Sequence, residues 1–494
     1  MAIAPSSYDI VEYPGFAYGN THPDQLAVMA TLYGLDPAPV ASCRVLEIAC
    51  NEGANLIPMA YAIPGGTFTG FDLAAECVVR GQHRIEALGL KNIRLFQADL
   101  LEIGDDLGEF DYIIAHGLYA WVPGAVSDRL LSFCGKHLAE DGVAFISYNA
   151  LPGSYQRQMI REMMLTGAQG VDDPDAKVRA GIEFLGAVAA ARPEGDVFRA
   201  LLQEQHKRLQ DKRPHVLYHD DFSPAYHPVS FSQFVAHAAR HGLQYLSESV
   251  LPPPNDPCFK PEFMKTVQGI SSDLIAQEQM LDYARMRMYR ETLLCRAHHK
   301  LQRRFPPQSF DRLCFASTAL SEPAENDAAR FYRLQGETKL HCIQPATIGV
   351  MERLIAAWPH TVPYGEVASL LAGYGLTERD KIAMLLLQMA VAHMIELHTW
   401  SPPLAQSIAE KPKAPATSRL DARTHDYTPT LWHTQVDLTD AVGRFCLQLL
   451  DGTRDRKALL EALEAQFPDK THEELETNME PNLRFLYRAG LLEA

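Results

Sequence analysis

From Arg44 to Tyr148 the chain alternates short apolar runs with amphipathic stretches. Val45–Ile48, Thr67–Phe71, Ile93–Phe96, Asp111–Ala115 and Gly142–Tyr148 read as strands. Between them, Asn55–Ala62, Glu76–Leu88 and Val126–His137 read as helices, the second closed by Gly89. Pro58 is tolerable in its helix only within the first turn. Strands and helices in this alternation predict an α/β unit, a parallel sheet covered on both faces. Such sheets bind ligands at the carboxyl ends of their strands.

Past Tyr148 the pattern changes. Gly153–Gln210 is mostly helical, with a methionine-bearing stripe (Met159, Met163, Met164) that suits a core or a homodimer contact. Phe231, Phe234, Val235, Ala238 and Ala239 then repeat at the spacing of a helix packed on a sheet. Gly242 stops that helix, and Leu243–Ser247 reads as a strand. A helix over Gln277–Met288 and a strand over Tyr289–Arg296 follow. The family resemblance given below implies that the first sheet gains its last two strands here. On that reading the domain runs from 1 to about 300, with 154–225 inserted into it.

The last third carries a repeat. Ile348–Trp358, Tyr364–Leu371 and Glu378–Met394 read as helices, followed by a strand at Ile395–Thr399. Val442–Leu450, Arg456–Ala465 and a helix beginning near Glu480 restate the order, with a closing strand at Leu491–Glu493. Two small winged-helix-like α+β modules are expected, at 301–402 and 431–494, joined by a Pro-, Ala- and Lys-rich linker over 403–430.

Composition narrows the function classes. The 494 residues are 47% hydrophobic and 21% charged, with a formal net charge of −16, which disfavours attraction to nucleic-acid phosphates. The basic run Arg285–Arg304 is the exception, and its plain reading is a helix face paired with acids elsewhere. Nine cysteines without a CxxC pair suit reduced thiols in a cytoplasmic protein. The start has no basic stretch and apolar core of a signal peptide, and the apolar run near Ala383–Met394 is too short to cross a bilayer. No membrane partner is expected.

The strand ends hold the candidate chemistry. Glu47 and the loop Ala49–Gly53 follow the first strand, Asp72 the second, Asp99 the third and His116-Gly117 the fourth. A dinucleotide loop needs three glycines to bring a pyrophosphate to the helix N-terminus, and this one has only Gly53. Glu47 would repel a diphosphate but suits the ammonium of an amino-acid moiety. With Asp72 for ribose hydroxyls and Asp99 for an adenine amino group, the three acids point to S-adenosylmethionine. Two of these acids also have a plain reading, since Asp72 and Asp99 both suit helix caps. Either Asn51 takes a positive φ in this loop, or the Ala49 methyl widens it.

The phrases Glu47–Gly53, Asp72 and Gln97–Leu100 resemble the first motifs of class I S-adenosylmethionine-dependent methyltransferases. Thr21–Asp24, Asn55–Ala60, His116–Pro123 and Ser147–Gly153 resemble bacterial members that carry a methyltransferase regulatory domain, a group with lysine methyltransferases acting on outer-membrane proteins. The resemblance implies a Rossmann-like sheet, S-adenosylmethionine as cofactor and a protein lysine as methyl acceptor. Cofactor contacts are expected from Glu47, Ala49, Asn51, Gly53, Asp72, Leu73, Asp99, Leu100 and His116. His116, Tyr119, Trp121, Tyr148 and Asn149 are expected to line the acceptor channel, with Tyr8, Tyr13 and Tyr18 as its lid. The stretch His215–Phe231 is expected as a loop over the acceptor side, not as a metal site, since methyl transfer to an amine needs no metal. A small-molecule methyltransferase and a non-catalytic binder with a degenerate loop remain open.

Overall fold

A computed structural model describes residues 8, 11, 13–252, 258–322, 330–334 and 338–494. Helix α1 (Pro23–Leu32) precedes an alternating series: β1 (Arg44–Ile48), α2 (Leu56–Ala62), β2 (Thr67–Asp72), α3 (Ala75–Leu88), β3 (Ile93–Gln97), β4 (Phe110–Ala115), α4 (Gly124–His137) and β5 (Leu138–Asn149). Gly89 ends α3 at φ +66°, a left-handed cap that costs glycine little. Three helices follow, α5 (Ser154–Gly167), α6 (Pro174–Ala191) and α7 (Val197–Gln210), the last two capped by Asp173 and Asp196. Then come α8 (Pro214–Phe222), α9 (Phe231–Arg240), β6 (Leu243–Glu248), α10 (Glu262–Ile270), α11 (Leu274–Arg285) and β7 (Tyr289–Arg296).

These seven strands form one sheet in the order β3-β2-β1-β4-β5-β7-β6, with β7 antiparallel to both of its neighbours. The late strands therefore join the first sheet, and β7 sets Tyr289 beside Asn149. Side-chain alternation splits the sheet into two faces. Val45 and Phe68 pack with α1 and α2, while Leu46, Ile48 and Ile113 pack with α4 and α9. Helices α5 to α8 share a separate small core of Ile160, Met164, Val178, Leu185, Leu202 and Phe222. Met164 is fully buried there, with Met159 and Met163 packed against it, so the methionine stripe serves that core.

Two expectations need correction here. His215–Phe222 lies in helix α8 instead of a loop, because its apolar side (Leu217, Phe222) completes the core of the inserted helices. The arginines after Arg285 are largely consumed within the fold. Arg290 is buried against Asp282 at 2.7 Å and Glu248 at 2.7 Å, and Arg303 donates to the Tyr245 and Leu246 carbonyls.

The rest of the chain forms smaller units. β8 (Cys314–Ala316), β9 (Leu320–Glu322), β10 (Arg330–Arg333) and β11 (Lys339–Cys342) lead into α12 (Pro345–Ala357), β12 (Val362–Pro363), α13 (Tyr364–Gly373), α14 (Arg379–Val391) and β13 (Glu396–His398). β12, β8 and β13 make a three-stranded sheet against the three helices, the expected winged-helix-like arrangement. β9, β10 and β11 form a second sheet that periodicity did not announce.

The segment 403–430 is not a free linker. It contains α15 (Ala416–Thr424) and β14 (Tyr427–Pro429), with Ala414, Ser418 and Ala422 fully buried. β14 pairs with β15 (Gln435–Asp437), and α16 (Ala441–Leu449), α17 (Arg456–Gln466) and α18 (His472–Arg488) complete the module. The expected strand at Leu491–Glu493 is reduced to a single bridge, Glu493 to Leu404. This module docks on α3 through Arg84 and Asp421 (2.6 Å), and on α2 through Tyr61, whose hydroxyl donates to Glu493 at 2.7 Å.

Candidate active site

The loop after β1 has three residues in the left-handed region: Ala49 (φ +59°), Asn51 (φ +51°) and Gly53 (φ +74°). Of the two alternatives foreseen for this loop the first occurs, Asn51 taking a positive φ; that Ala49 takes one as well was not foreseen. The conformation costs a non-glycine residue about 1–2 kcal/mol, so the surroundings must enforce it. They do so with four hydrogen bonds. Cys50 N–H donates to the Phe71 carbonyl (3.2 Å), Asn51 N–H to Asp72 Oδ2 (2.8 Å), and Gly53 N–H to the Cys50 carbonyl (2.8 Å). The Asn51 side-chain oxygen accepts from Glu52 N–H at 2.8 Å.

Asp72 therefore has a structural duty beside any ligand it takes. Its Oδ2 holds the loop and its Oδ1 accepts from Ala74 N–H at 2.8 Å, fixing the turn that leads into α3. Gly53 does not line the adjoining cavity. A Cβ on it would meet Leu95 Cδ1 at 2.7 Å, so the glycine serves the packing of loop on sheet.

The cavity encloses about 520 Å³, and Glu47, Ala49, Asn51, Asp72, Leu73, Asp99, Leu100 and His116 all line it. Glu47 is 5% exposed, and its Oε1 accepts from Asn55 Nδ2 at 2.8 Å. Its Oε2 is buried without a hydrogen-bond partner among the described residues. Burial pushes its carboxyl up to about 8, the Asn55 hydrogen bond opposes this, and Asp72 adds to it. A cation arriving at Oε2 would supply the missing partner and return the group to its carboxylate form. Asp99 accepts from Leu101 N–H at 2.9 Å and so caps the turn while facing the cavity wall.

The opposite wall is aromatic. Tyr8, Tyr13, Tyr18, His116, Trp121, Asn149, His219, Asp220 and Tyr289 line it. Tyr18 stacks on His116 with ring centres 3.9 Å apart, and Tyr289 OH lies 3.3 Å from His116 Nε2. Desolvation lowers His116 to about 4, so the ring is neutral near pH 7. Tyr8 stacks on His219 at 4.2 Å, and Tyr13 OH donates to Asp220 Oδ1 at 3.3 Å. Burial raises the Asp220 carboxyl, which Arg157 partly offsets. Asn149 is 4% exposed, and its Oδ1 has no hydrogen-bond partner among the described residues.

Two expected channel residues belong elsewhere. Tyr148 is buried against Phe234 at 4.1 Å and bonds Thr292, because neighbours on a strand point to opposite faces and Asn149 takes the cavity side. Tyr119 turns under the sheet, its hydroxyl 2.7 Å from His237 Nδ1. Tyr289 and His219 join the wall in their place. Tyr289 carried no local signal, since it reaches the cavity by β7 pairing with β5, whereas His219 lies in the stretch expected over the acceptor side. The histidines of the His215–Phe231 stretch take no part in the two groups of metal-capable side chains found among the described residues, Asp128–His237–His241 and Glu140–His298–His299. In the first group Asp128 already faces both imidazoles, at 2.9 and 3.0 Å.

Comparisons with known proteins agree with this site. Residues 45–142 match the family model of a methyltransferase domain, 213–296 that of a predicted methyltransferase regulatory domain, and 410–483 that of a PKMT C-terminal winged helix domain. An uncharacterized protein of Rickettsia prowazekii is 31% identical over 241 residues, covering 49% of this chain and 96% of its own. The chain belongs to the class I S-adenosylmethionine-dependent methyltransferases that carry a regulatory domain. A second uncharacterized protein of that organism is 28% identical to the methyltransferase over 477 residues, 92% of this chain and 85% of its own. The fold is shared with PKMT2 from Rickettsia typhi, solved in complex with AdoHcy, at a TM-score of 0.86, 21% identity and coverage of 97% and 99% of the two chains.

S-adenosylmethionine is the cofactor of the methyltransferase. The residues present fit it: a strained loop with no phosphate cradle, and one buried carboxylate oxygen awaiting a donor. The winged-helix match at 410–483 also begins inside the stretch expected as a linker, in line with its packing.

Proposed function

We propose that the methyltransferase N-methylates lysine side chains of a protein substrate. The observation that carries this reading is the aromatic and acidic wall facing the cofactor acids, with the unsatisfied Asn149 Oδ1 buried in it. A lysine enters as an ammonium and must lose a proton before it can attack. Tyrosine faces attract the cation, and a desolvated channel favours its neutral form. Asp220, raised by burial, suits proton acceptance, whereas His116 at about 4 is too weak a base near neutrality. Asn149 Oδ1 would accept a hydrogen bond from the amine and aim its lone pair into the cavity. The bound cofactor supplies an electrophilic methyl group on a sulfonium. Glu47, Asp72 and Asp99 would hold its ammonium, ribose hydroxyls and adenine amino group.

The protein nature of the substrate draws support from the PKMT winged-helix match, whose name denotes protein lysine methyltransferase, and from the likeness to PKMT2 over the whole chain. A basic substrate also suits a chain of net charge −16. Incubation with S-adenosylmethionine and lysine-rich proteins, read by peptide mass spectrometry, tests the reading. Methyl groups should appear on lysine, and Asp220→Asn should lower kcat roughly 100-fold. Methylation confined to free small amines or hydroxyls would overturn it.

A further inference from the structure

The C-terminal module reaches into the cofactor site. The turn between β14 and β15 carries His433, 2% exposed and held at φ +59°. That conformation is uncommon for an imidazole-bearing residue, so the turn is specified from outside itself. Thr430 closes it, accepting the His433 N–H at 2.9 Å, and Trp432 Nε1 anchors it on the Pro359 carbonyl at 3.1 Å. His433 Nε2 lies 2.8 Å from Asn55 Oδ1.

Asn55 is saturated. Its Nδ2 donates to Glu47 Oε1 at 2.8 Å and to Thr21 Oγ1 at 3.0 Å. Its Oδ1 accepts from the Tyr18 backbone N–H at 2.9 Å. A backbone N–H can only donate, so the amide orientation is settled, and His433 Nε2 must carry its hydrogen. The far side of Glu47 is the unpartnered Oε2. An unbroken line thus runs from the C-terminal turn through one amide to the acid that faces the cofactor, and the same amide ties down Tyr18, which stacks on His116.

We infer that His433 is a positioning residue for cofactor binding: its Nε2–H locks the Asn55 amide so that Glu47 presents its free oxygen, and Tyr18 its ring, to the cavity. The C-terminal module is then part of the cofactor site and not only a substrate-docking appendage. This rests on the assignment of the cavity to S-adenosylmethionine. It also provides a route by which a displacement of the β14–β15 turn from Asn55 alters cofactor affinity.

Two substitutions of similar reach separate the hydrogen bond from bulk. His433→Gln keeps an N–H donor, and His433→Met removes it. Calorimetric titration with S-adenosylmethionine should show H433M about tenfold weaker than wild type, the loss of one buried hydrogen bond, and H433Q within about threefold. Arg84→Ala breaks the Arg84–Asp421 contact of the same module, away from Asn55, and should lower Tm while leaving cofactor affinity in place. Equal affinities for H433M and H433Q, or a loss in R84A as large as that in H433M, would overturn the positioning role. Failure of the wild-type protein to bind would instead sink the cofactor assignment itself.

Discussion

The two walls of the cavity are built in opposite ways. The cofactor side comes mostly from one stretch, Glu47 to Asp72, where a strand, a strained loop and the next strand end converge within a single βαβ unit. The proposed acceptor side is collected from Tyr8, Tyr13 and Tyr18, from His116 and Asn149 at two strand ends, from Asp220 on α8, and from Tyr289 on β7. The first wall is tied together by short-range hydrogen bonds; the second depends on distant segments docking. The cofactor wall is thus mostly local, with the His433–Asn55 contact as a distant brace, while the proposed acceptor wall is assembled by tertiary contacts throughout.

Single substitutions can pull these walls apart. The largest effect is expected at Asn149→Ala, which removes the buried acceptor oxygen but touches none of the cofactor acids. Its kcat should fall roughly 100-fold while affinity for S-adenosylmethionine in calorimetry holds. A parallel loss of both would mean that the walls are not separable.

Glu47→Gln should act on the other side. Losing one charge-assisted contact of about 1.5–3 kcal/mol predicts a roughly ten- to hundredfold rise in the Kd for S-adenosylmethionine. The pH dependence has a definite sign. The folded Glu47 carboxyl sits at about 8 against an ordinary 4.5, so between those values the native state keeps a proton that the unfolded chain has released. Its contribution to cofactor-free stability is therefore lost as pH rises through that window. Thermal melts should show the difference between wild type and Glu47→Gln shifting in favour of the variant toward pH 8. Cofactor binding by the wild type should release a proton near pH 7, measurable in buffers of differing ionisation enthalpy.

The smallest effect is expected at Ala49→Gly. Relief of a left-handed alanine, about 1–2 kcal/mol, is offset by the greater freedom of glycine in the unfolded chain, about 0.5–1 kcal/mol. Melts should show a net gain of about 1 kcal/mol or less, with cofactor affinity equal or slightly higher. A clear destabilisation would show that Ala49 is not strained.

Much of the fold was readable because β periodicity and helix spacing are local properties. The late strands at 243–248 and 289–296 could be placed in the first sheet because the resembled family's sheet needs two more strands, and a helix–Gly–strand pattern marks the first of them. Tyr148 misled, although the alternation of a strand already forbids it and Asn149 from sharing a face. The stretch 403–430 misled for a different reason. Its Pro, Ala and Lys content resembles a linker, yet Ala414 and Ala422 are buried in the core of the C-terminal module and Ser418 donates to the Pro429 carbonyl of β14.

The residues themselves determined which cofactor the site takes. Three acids at consecutive strand ends and a loop short of glycines exclude a diphosphate, whatever the rest of the chain does. Only the tertiary structure decided what surrounds those acids. Tyr289 reaches the cavity because β7 runs antiparallel beside β5, and His433 reaches Asn55 across 378 positions because a distant turn docks on α2. Local patterns encode strand ends, but docking surfaces are written in shape and burial, and these exist only once the chain has folded.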